Sequence, residues 1–343
     1  MNQNQIKRKP NESDMITVII PVYKVQDYLE RCINSVLQST YRNLEVICIN
    51  DGSPDNCLEI LQDFAEKDSR VVVISQENQG VQAARNAGLL KARGEYIAFI
   101  DSDDYIHPQY FSSMMRCLKA KSADIVICGC QKFSESQSII NKSLNKVHYD
   151  RLDDKQFFKS YYARHMVWAR IYKRTIIGAS CFRPEVKLGD DTLFNLEVVT
   201  SLNNPVIYET KSELYYYFIR ETSLVHTSKG MRLYDIVRWY RTQSFSGIRK
   251  GGKWDWLLLM QVIKIALSCR YGCCFDDDAS EKTADINADL RSLIGEMNQH
   301  PYIDIKDKVV HTIMFAFPEL YRQFRIHEDP TLRIWEKERK GSK

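Results

Sequence analysis

The sequence predicts an α/β fold in which helices flank a mostly parallel sheet. Short apolar runs, rich in β-branched and aromatic residues, alternate with amphipathic segments of helical periodicity. Each run is continuously apolar, which is typical of a strand buried on both faces of a sheet. Because parallel strands need a crossover connection, the helices are expected to cover the faces of this sheet. The predicted strands are residues 16–20, 44–49, 71–74, 96–100 and 124–130.

The segments between the first four strands have the spacing of helices with one apolar face. In residues 25–39, apolar side chains recur as adjacent pairs from Tyr28 to Leu37. A second helix is predicted over residues 55–67. A third helix, rich in small residues, follows Gly80, which would let the backbone approach a ligand closely.

Polar residues follow each of the first four predicted strands. Ligands of open α/β sheets bind outside the carboxyl ends of the strands, so these residues are predicted to converge on one crevice. On this ground Asn78 is assigned to the ligand. Pro21 is also predicted to end the first strand. The four clusters are Pro21-Val22-Tyr23, Asn50-Asp51, Glu77-Asn78 and Asp101-Ser102-Asp103.

Three carboxylates stand directly after the fourth strand, at Asp101, Asp103 and Asp104. A hard cation such as Mg²⁺ or Mn²⁺ takes oxygen ligands and often shares its site with phosphates, so Asp101 and Asp103 are candidate metal ligands. The alternative is an acidic loop in which Asp104 caps the next helix. The sequence contains neither a G-x-G-x-x-G after the first strand nor a P-loop. A phosphate is therefore predicted to be held by such a metal together with the guanidinium of Arg85.

The composition is that of an ordinary globular protein. The chain has 343 residues, 44% hydrophobic and 27% charged, with a net charge of +4, which allows one large or two modest domains. Residues 1–14 are polar and predicted to be disordered, and the longest apolar run, 254–267, is too short for a bilayer. The ten cysteines form no C-x-x-C pair, so reduced thiols and a cytoplasmic location are expected.

Two stretches together are similar to a known family. VIIPVYKVQDYLERCINSVLQSTYRNLEVICINDGSPDN and ENQGVQAARNAGLLKARGEYIAFIDSDD resemble the family 2 glycosyltransferases, bacterial enzymes with the GT-A fold that commonly build cell-surface polysaccharides. The likeness covers roughly residues 15–130, with several motifs in the same order and spacing. It implies a nucleotide-sugar donor, usually UDP-linked, and Mg²⁺ or Mn²⁺ as cofactor. Asp103 would be the direct metal ligand, with Asp101 beside it on the nucleotide or metal side.

The resemblance also implies roles for other residues of these motifs. Pro21 and Tyr23 would line the pocket of the base, and Asp51 would hydrogen-bond the uracil or ribose. Arg85 would contact the diphosphate. The structural alternatives are that Pro21 ends a strand, that Asp51 belongs to a simple turn, and that Arg85 is a solvated helix residue.

The segment Lys187-Leu188-Gly189-Asp190-Asp191-Thr192-Leu193-Phe194 resembles the acceptor-side motif of the family. In that motif an acidic pair after glycine begins a helix and its second carboxylate is the general base, which implies Asp191 as the catalytic residue. The pair here is Asp-Asp, whereas relatives commonly have Glu-Asp. An inverting transfer needs such a carboxylate to take the proton of the attacking hydroxyl. The alternative is that Asp190 or Asp191 only caps a helix over residues 192–200.

Three residues of the second half are further candidates for the site. One depends on the resemblance, and the other two have an alternative interpretation each. The Tyr-rich stretch 215–223 resembles the strand and basic loop that close on the donor diphosphate, which implies Arg220 as a diphosphate contact. His226 would contact metal or phosphate, or else be an ordinary surface histidine. Trp168 would stack on a sugar ring or belong to the core.

A basic stretch follows in the last third of the chain. Residues 229–253 hold seven Lys or Arg against one Asp. Such a run is usually a solvated face, but it would also suit an anionic membrane surface, where each cation is worth about 1 kcal/mol. Peripheral attachment to the inner face of the cell membrane is therefore a further hypothesis. Nucleic acid is not expected as a partner, because no recognised binding motif accompanies the basic residues.

The sequence as a whole predicts a disordered segment, a GT-A domain and a helical, basic region. The predicted function is inverting, metal-dependent transfer of a hexosyl or N-acetylhexosaminyl group to a hydroxyl of a growing cell-surface glycan or lipid-linked oligosaccharide. The alternative is a non-catalytic module of the same fold that binds a sugar nucleotide or a glycan. The predicted regions are 1–14, 15–225 (nucleotide-sugar half 15–130, acceptor half 131–225) and 226–343.

Overall fold

Strands and helices alternate through the first half of the chain in the order that the hydrophobic pattern predicts. The computed structural model describes residues 14–134, 144, 146–153, 156–157, 166–184, 186, 189–202, 204–219, 237–238, 240–241, 255–273, 279–301 and 303–316. The elements are β1 (Ile16–Val22), α1 (Gln26–Leu37), β2 (Leu44–Asp51), α2 (Cys57–Lys67), β3 (Val71–Gln76), α3 (Val81–Lys91), β4 (Tyr96–Phe99), β5 (Tyr105–Ile106), α4 (Tyr110–Lys121), β6 (Ile125–Phe133), β7 (Asp150–Leu152), β8 (Arg170–Lys173), α5 (Arg174–Ile177), α6 (Asp190–Thr200), β9 (Ile207–Phe218), α7 (Asp255–Cys273), α8 (Ala279–Gln299) and α9 (Ile305–Ala316).

The strands of the described residues form one mixed sheet, in the order β3-β2-β1-β4-β8-β6-β9-β5, with β7 paired to β9. β3, β2, β1 and β4 are parallel neighbours, so their carboxyl ends lie at one edge. β8 is antiparallel to both β4 and β6, and β9 is parallel to β6. The predicted α/β fold is confirmed, with parallel strands from β3 to β4, but the described sheet is mixed, because four of its eight strand pairs are antiparallel. The last residues of β9 lie at the same edge as the ends of β1 to β4.

Pro21 does not end the first strand, which corrects the prediction. β1 continues to Val22 and remains paired with β2 as far as Asn50. The carbonyl of Ile19 faces β4, where it accepts a hydrogen bond from the amide of Ile100 (3.1 Å). The nitrogen of Pro21, two residues further along, faces the same side, and β4 has already ended there. A strand tolerates proline where no neighbouring strand needs its missing N–H.

Two helices show how the sequence covers this sheet. α1 buries the apolar face that its periodicity predicts, including Cys32 and Val36, against the core. α3 lies directly on the sheet because Gly88 has no side chain. A Cβ atom at Gly88 would lie 2.5 Å from Cγ2 of Ile19 and 3.0 Å from Cδ1 of Ile49, so any larger residue would displace the helix.

The chain divides into two compact units. One contains residues 1–184 and 190–226, and the other contains residues 185–189 and 227–343. The described part of the second unit includes the long helices α7, α8 and α9, so the predicted helical C-terminal region is confirmed. None of the described helices is long and apolar enough to cross a membrane. The predicted disordered segment and the predicted boundary near residue 225 lie largely outside the described residues.

Candidate functional site

The polar clusters that follow β1 to β4 lie side by side, because these four strands are parallel neighbours. Tyr23, after β1, is 42% exposed and lies next to the end of β2. Asp51 ends β2, Asn78 follows β3, and Asp101 follows β4. The structure therefore brings the predicted residues of all four clusters to the same edge of the sheet.

Asp51 holds the loop between β3 and α3. Its carboxylate accepts hydrogen bonds from Nε2 of Gln76 (2.7 Å) and from the amides of Gln79 (3.0 Å) and Gly80 (2.8 Å). The side chain of Asn78 donates to the backbone carbonyl of Asp51 (3.0 Å). Gly80 has a φ of +93°, a backbone conformation that other residues rarely adopt. Asp51 thus shapes the loop, while Oδ2, which accepts from the amide of Gly80, keeps a further acceptor site for the predicted ligand contact.

Arg85, in the first half of α3, joins carboxylates from two distant segments of the chain. Its Nη2 donates to Oδ1 of Asp101 (2.9 Å), and its Nη1 donates to Oδ1 of Asp191 (2.7 Å). Nη1 also lies 3.7 Å from Oδ2 of Asp190. The guanidinium is 5.3 Å from the ring centroid of Phe182, and the residue is only 5% exposed. Burial alone would lower the pKa of Arg85, but these three carboxylates raise it above its ordinary value, so it stays charged.

Asp190 and Asp191 begin α6, two residues earlier than predicted, and both side chains are largely buried. The backbone amide of Asp191 donates a hydrogen bond to the Asp190 carboxylate. The Asp191 carboxylate accepts hydrogen bonds from Arg85 and from the amide of Val167. Burial raises the pKa of Asp191 while Arg85 opposes that rise. A carboxylate with a raised pKa is a better proton acceptor near neutral pH than an exposed one.

The surroundings of Asp190 stabilise its negative charge only weakly. Burial, followed by the charge of Asp191, raises the pKa of Asp190 to about 7, although Arg85 opposes the rise. Its Oδ2 atom is buried and has no hydrogen-bond partner among the described residues. Its ion pair with Arg85, at 3.7 Å, is not a hydrogen bond, so the charged form of Asp190 is costly and lowers the stability of the fold at high pH.

Replacement of Asp190 by asparagine should stabilise the folded protein at neutral pH. The folded state binds a proton at Asp190 more tightly than the unfolded state does, so the stabilising proton is lost as the pH rises through about 7. The variant should therefore gain free energy of unfolding over the wild type between pH 5 and pH 8, by roughly 1–3 kcal/mol. Urea denaturation at several pH values measures this difference. Asp27→Asn, an exposed first-turn position of α1, is the control. A gain that does not change with pH would contradict the prediction.

The turn at residues 101–104 contains the third group of carboxylates. The amide of Asp104 donates to the carbonyl of Asp101 (3.0 Å) and closes the turn. Asp104 is completely buried, and its carboxylate accepts hydrogen bonds from the hydroxyl of Tyr215 (2.7 Å) and the amide of Phe218 (2.8 Å). Burial and the charges of Asp103 and Asp101 raise its pKa well above the ordinary value. The alternative that Asp104 caps the next helix is wrong, because α4 begins only at Tyr110.

The donor set at this turn suits a hard divalent cation that arrives with phosphates. Asp101 is 28% exposed at the strand end and keeps one oxygen that Arg85 does not bind. Within the described residues, no group of three or more His, Cys, Asp or Glu side chains is arranged to hold a metal ion. Mg²⁺ is commonly bound by one or two carboxylates together with waters and substrate phosphates, so Asp101 and Asp103 fit that pattern.

The remaining predicted residues have mixed outcomes. Arg220 and His226 lie outside the described residues, so their roles stay predictions. Trp168 is 4% exposed and stacks on Tyr215, with ring centroids 4.8 Å apart at 15°, so it belongs to the core. Tyr215 contacts the turn at residues 101–104 through its hydroxyl, and the Tyr-rich pattern of its strand does not predict this contact.

The fold and its polar clusters define an α/β protein whose candidate site lies at the carboxyl ends of the parallel strands β1 to β4. Residues 17–179 match the family model described as Glycosyl transferase family 2. The chain belongs to this glycosyltransferase family, as its sequence motifs predict.

The similar curated proteins are named as bacterial glycosyltransferases. The chain is 38% identical to glycosyltransferase GlyA of Streptococcus pneumoniae over 231 residues, 64% of this chain and 33% of GlyA. It is 31% identical to the putative glycosyltransferase EpsH of Bacillus subtilis over 238 residues, 65% of this chain and 68% of EpsH. The chain thus spans a third of the length of GlyA and about two thirds of EpsH.

Solved structures confirm the GT-A type of fold. TarS of S. aureus, in its complex with UDP-GlcNAc, has a TM-score of 0.54 and 16% sequence identity, covering 89% of this chain and 81% of that one. A second TarS structure has a TM-score of 0.62 and covers 53% of that chain. At this level of identity the likeness concerns the fold.

Proposed function

We propose that the protein is an inverting glycosyltransferase that moves a sugar from a UDP-linked donor to a hydroxyl of a growing surface glycan or lipid-linked saccharide. The observation that carries the proposal is the position of Arg85, which is bonded to Asp101 and to Asp191 at once. This arrangement supports a site in which the leaving diphosphate and the attacking hydroxyl meet. The UDP-GlcNAc in the TarS complex supports the choice of a UDP-sugar.

Asp191 is the proposed general base. One carboxylate oxygen would accept the proton of the acceptor hydroxyl while that hydroxyl attacks the anomeric carbon. The amide of Val167 orients the carboxylate, and burial keeps its pKa raised. A single displacement with one base inverts the anomeric configuration, since no protein nucleophile intervenes.

The opposite side of the cluster is the proposed donor side. Pro21 and Tyr23 would line the base pocket, with the loop of Asn78 and Asp51 as its floor. Arg85 would bind the diphosphate, which competes with both carboxylates for the guanidinium and so frees Asp191 to accept a proton. Mg²⁺ or Mn²⁺, held by Asp101 and Asp103, would stabilise the negative charge of the departing diphosphate. Arg220 and His226 would add contacts to phosphate or metal.

Peripheral attachment of this cytoplasmic enzyme to an anionic membrane surface, close to a lipid-linked acceptor, is also part of the proposal. Its support is the basic composition of residues 229–253. Flotation with anionic vesicles at low salt is the direct test of this attachment.

A panel of nucleotide sugars tests the function itself. Purified protein is incubated with each donor and an acceptor in Mn²⁺, Mg²⁺ or EDTA, and release of free nucleotide is measured. We expect release with a UDP-sugar in metal only, and a loss of about 100-fold or more in Asp103→Ala. Asp63→Ala, at an exposed carboxylate of α2, is the matched control and should keep full activity. Donor binding without any release would favour the non-catalytic binding module instead.

A further inference from the structure

One tyrosine hydroxyl attaches both ends of the turn 101–104 to β9. The hydroxyl of Tyr215 donates a hydrogen bond to Oδ2 of Asp104 (2.7 Å). The hydroxyl oxygen of Tyr215 also accepts a hydrogen bond from the amide of Asp101 (3.2 Å). The two contacts bracket Asp103, so the course of the turn depends on where this hydroxyl stands.

The hydroxyl is held rigidly because the ring that carries it cannot move. Tyr215 is fully buried and stacks on Trp168, which is itself only 4% exposed. A further ring, that of Tyr110, lies with its centroid 6.3 Å away at a tilted angle. Close packing on several sides confines a buried aromatic side chain to one rotamer.

Further contacts tie the same turn to the same strand. The amide of Phe218 donates to Oδ1 of Asp104 (2.8 Å), so both oxygens of that carboxylate bind β9. The two residues of β5, directly after the turn, pair with β9 at Tyr105↔Tyr216 and Ile106↔Tyr215. The turn therefore moves with β9 as well as with β4, which precedes it.

We propose that Tyr215 is a positioning residue for divalent-cation binding. Its hydroxyl binds the backbone amide of Asp101 and the side chain of Asp104, on either side of Asp103, and so orients the carboxylates of Asp101 and Asp103 without touching the cation. The inference rests on the proposed function, in which those two carboxylates bind the metal. Groups that orient metal ligands typically contribute about 10–100-fold to metal affinity or activity. A merely structural hydroxyl would contribute to folding stability alone.

The experiment compares Tyr215→Phe with Tyr41→Phe. The hydroxyl of Tyr41 donates to the carbonyl of Asp14, at the opposite edge of the sheet, so the control loses a comparable hydrogen bond far from the turn. UDP is titrated into each protein calorimetrically, once with Mn²⁺ and once with EDTA. For Tyr215→Phe we expect UDP affinity to fall about tenfold with Mn²⁺ and to stay within about twofold of wild type in EDTA. Tyr41→Phe should stay within about twofold in both conditions.

A second variant guards against misfolding of the first. Asp104→Asn keeps a carbonyl oxygen for the amide of Phe218 but presents an N–H to the Tyr215 hydroxyl, so that hydrogen bond must reverse its direction. A metal-dependent loss smaller than that of Tyr215→Phe is therefore expected. Thermal unfolding of all variants checks that each is folded at the titration temperature.

The outcomes separate this inference from the proposed function. In one outcome, the UDP affinity of the wild type depends on Mn²⁺, and Tyr215→Phe is unchanged or is weakened equally with Mn²⁺ and with EDTA. This result overturns the role of Tyr215 and leaves the proposed function standing. Wild-type protein that binds no UDP, or binds it equally with Mn²⁺ and with EDTA, overturns the metal-dependent function and the role of Tyr215 together.

Discussion

Replacement of Asp191 by asparagine is expected to lower kcat by about 10³-fold, because a general base typically contributes between about 10² and 10⁴. The amide keeps the size of the carboxylate and its contact with the amide of Val167, so the fold should survive. Donor binding should also survive, since the proposed donor contacts lie on the other side of Arg85. The loss is therefore expected in kcat at saturating donor, with little change in the affinity for UDP.

Asp190→Asn is the natural control for this experiment, because it removes the neighbouring carboxylate and leaves the proposed base intact. Initial rates over a pH series add a second readout. Asp191 must be ionised to act, and burial raises its pKa. As the pH is lowered, kcat/KM of the wild type should therefore begin to fall at a higher pH than it would with an exposed aspartate as the base. An Asp191→Asn variant that keeps the wild-type kcat would reject this residue as the base.

Arg85→Met is expected to have the largest effect on stability, with a loss of about 3–5 kcal/mol in the free energy of unfolding. The guanidinium faces Asp101, Asp190 and Asp191, whose side chains are 28%, 10% and 17% exposed. Without it, three poorly solvated carboxylates lie together with no cation among them. The loss should be larger at pH 8 than at pH 5, because burial raises the pKa values of Asp190 and Asp191, which can take up protons at the lower pH.

Lys67→Met is the matched control for the Arg85 variant. It removes the cation of an exposed ion pair with Asp63, whose partners are 69% and 55% exposed, so a loss below about 1 kcal/mol is expected. Denaturant unfolding at both pH values measures the two variants. Similar losses in Arg85→Met and Lys67→Met would mean that the buried cluster does not depend on its cation.

The part of this molecule that follows from local sequence pattern could be predicted well. Continuously apolar runs marked β1, β2 and β4, and paired apolar residues at helical spacing marked α1, because burial imposes these patterns directly on neighbouring residues. The same pattern located β3, but the prediction that β3 is buried on both faces is wrong, because β3 lies at the edge of the sheet and Val72 is 38% exposed. The family motifs extended this to the fold type and to the edge of the sheet that carries the site. Even so, a local rule failed at Pro21, where the strand continues because β4 has already ended beside it.

The contacts within the site could not be predicted, because they join distant parts of the chain. Arg85 and Asp191 are 106 residues apart, and Tyr215 and Asp104 are 111 residues apart. No periodicity records which side chains meet at such separations. For the same reason the contacts of Asp51 could not be predicted. Its hydrogen bonds to Gln79 and Gly80 depend on how the loop after β3 folds back over β2.

The closeness of α3 to the sheet has a mechanical consequence for the charged cluster. Gly88 lies three residues after Arg85, and its missing side chain allows the helix to touch Ile19 and Ile49. The distance between α3 and the sheet is therefore set at Gly88. Because a helix is rigid, this distance also fixes the position of the Arg85 guanidinium about one turn away. An added methyl group at that contact would shift the helix and with it the guanidinium of Arg85. A residue with no side chain therefore helps to set the distance between the carboxylates of Asp101 and Asp191.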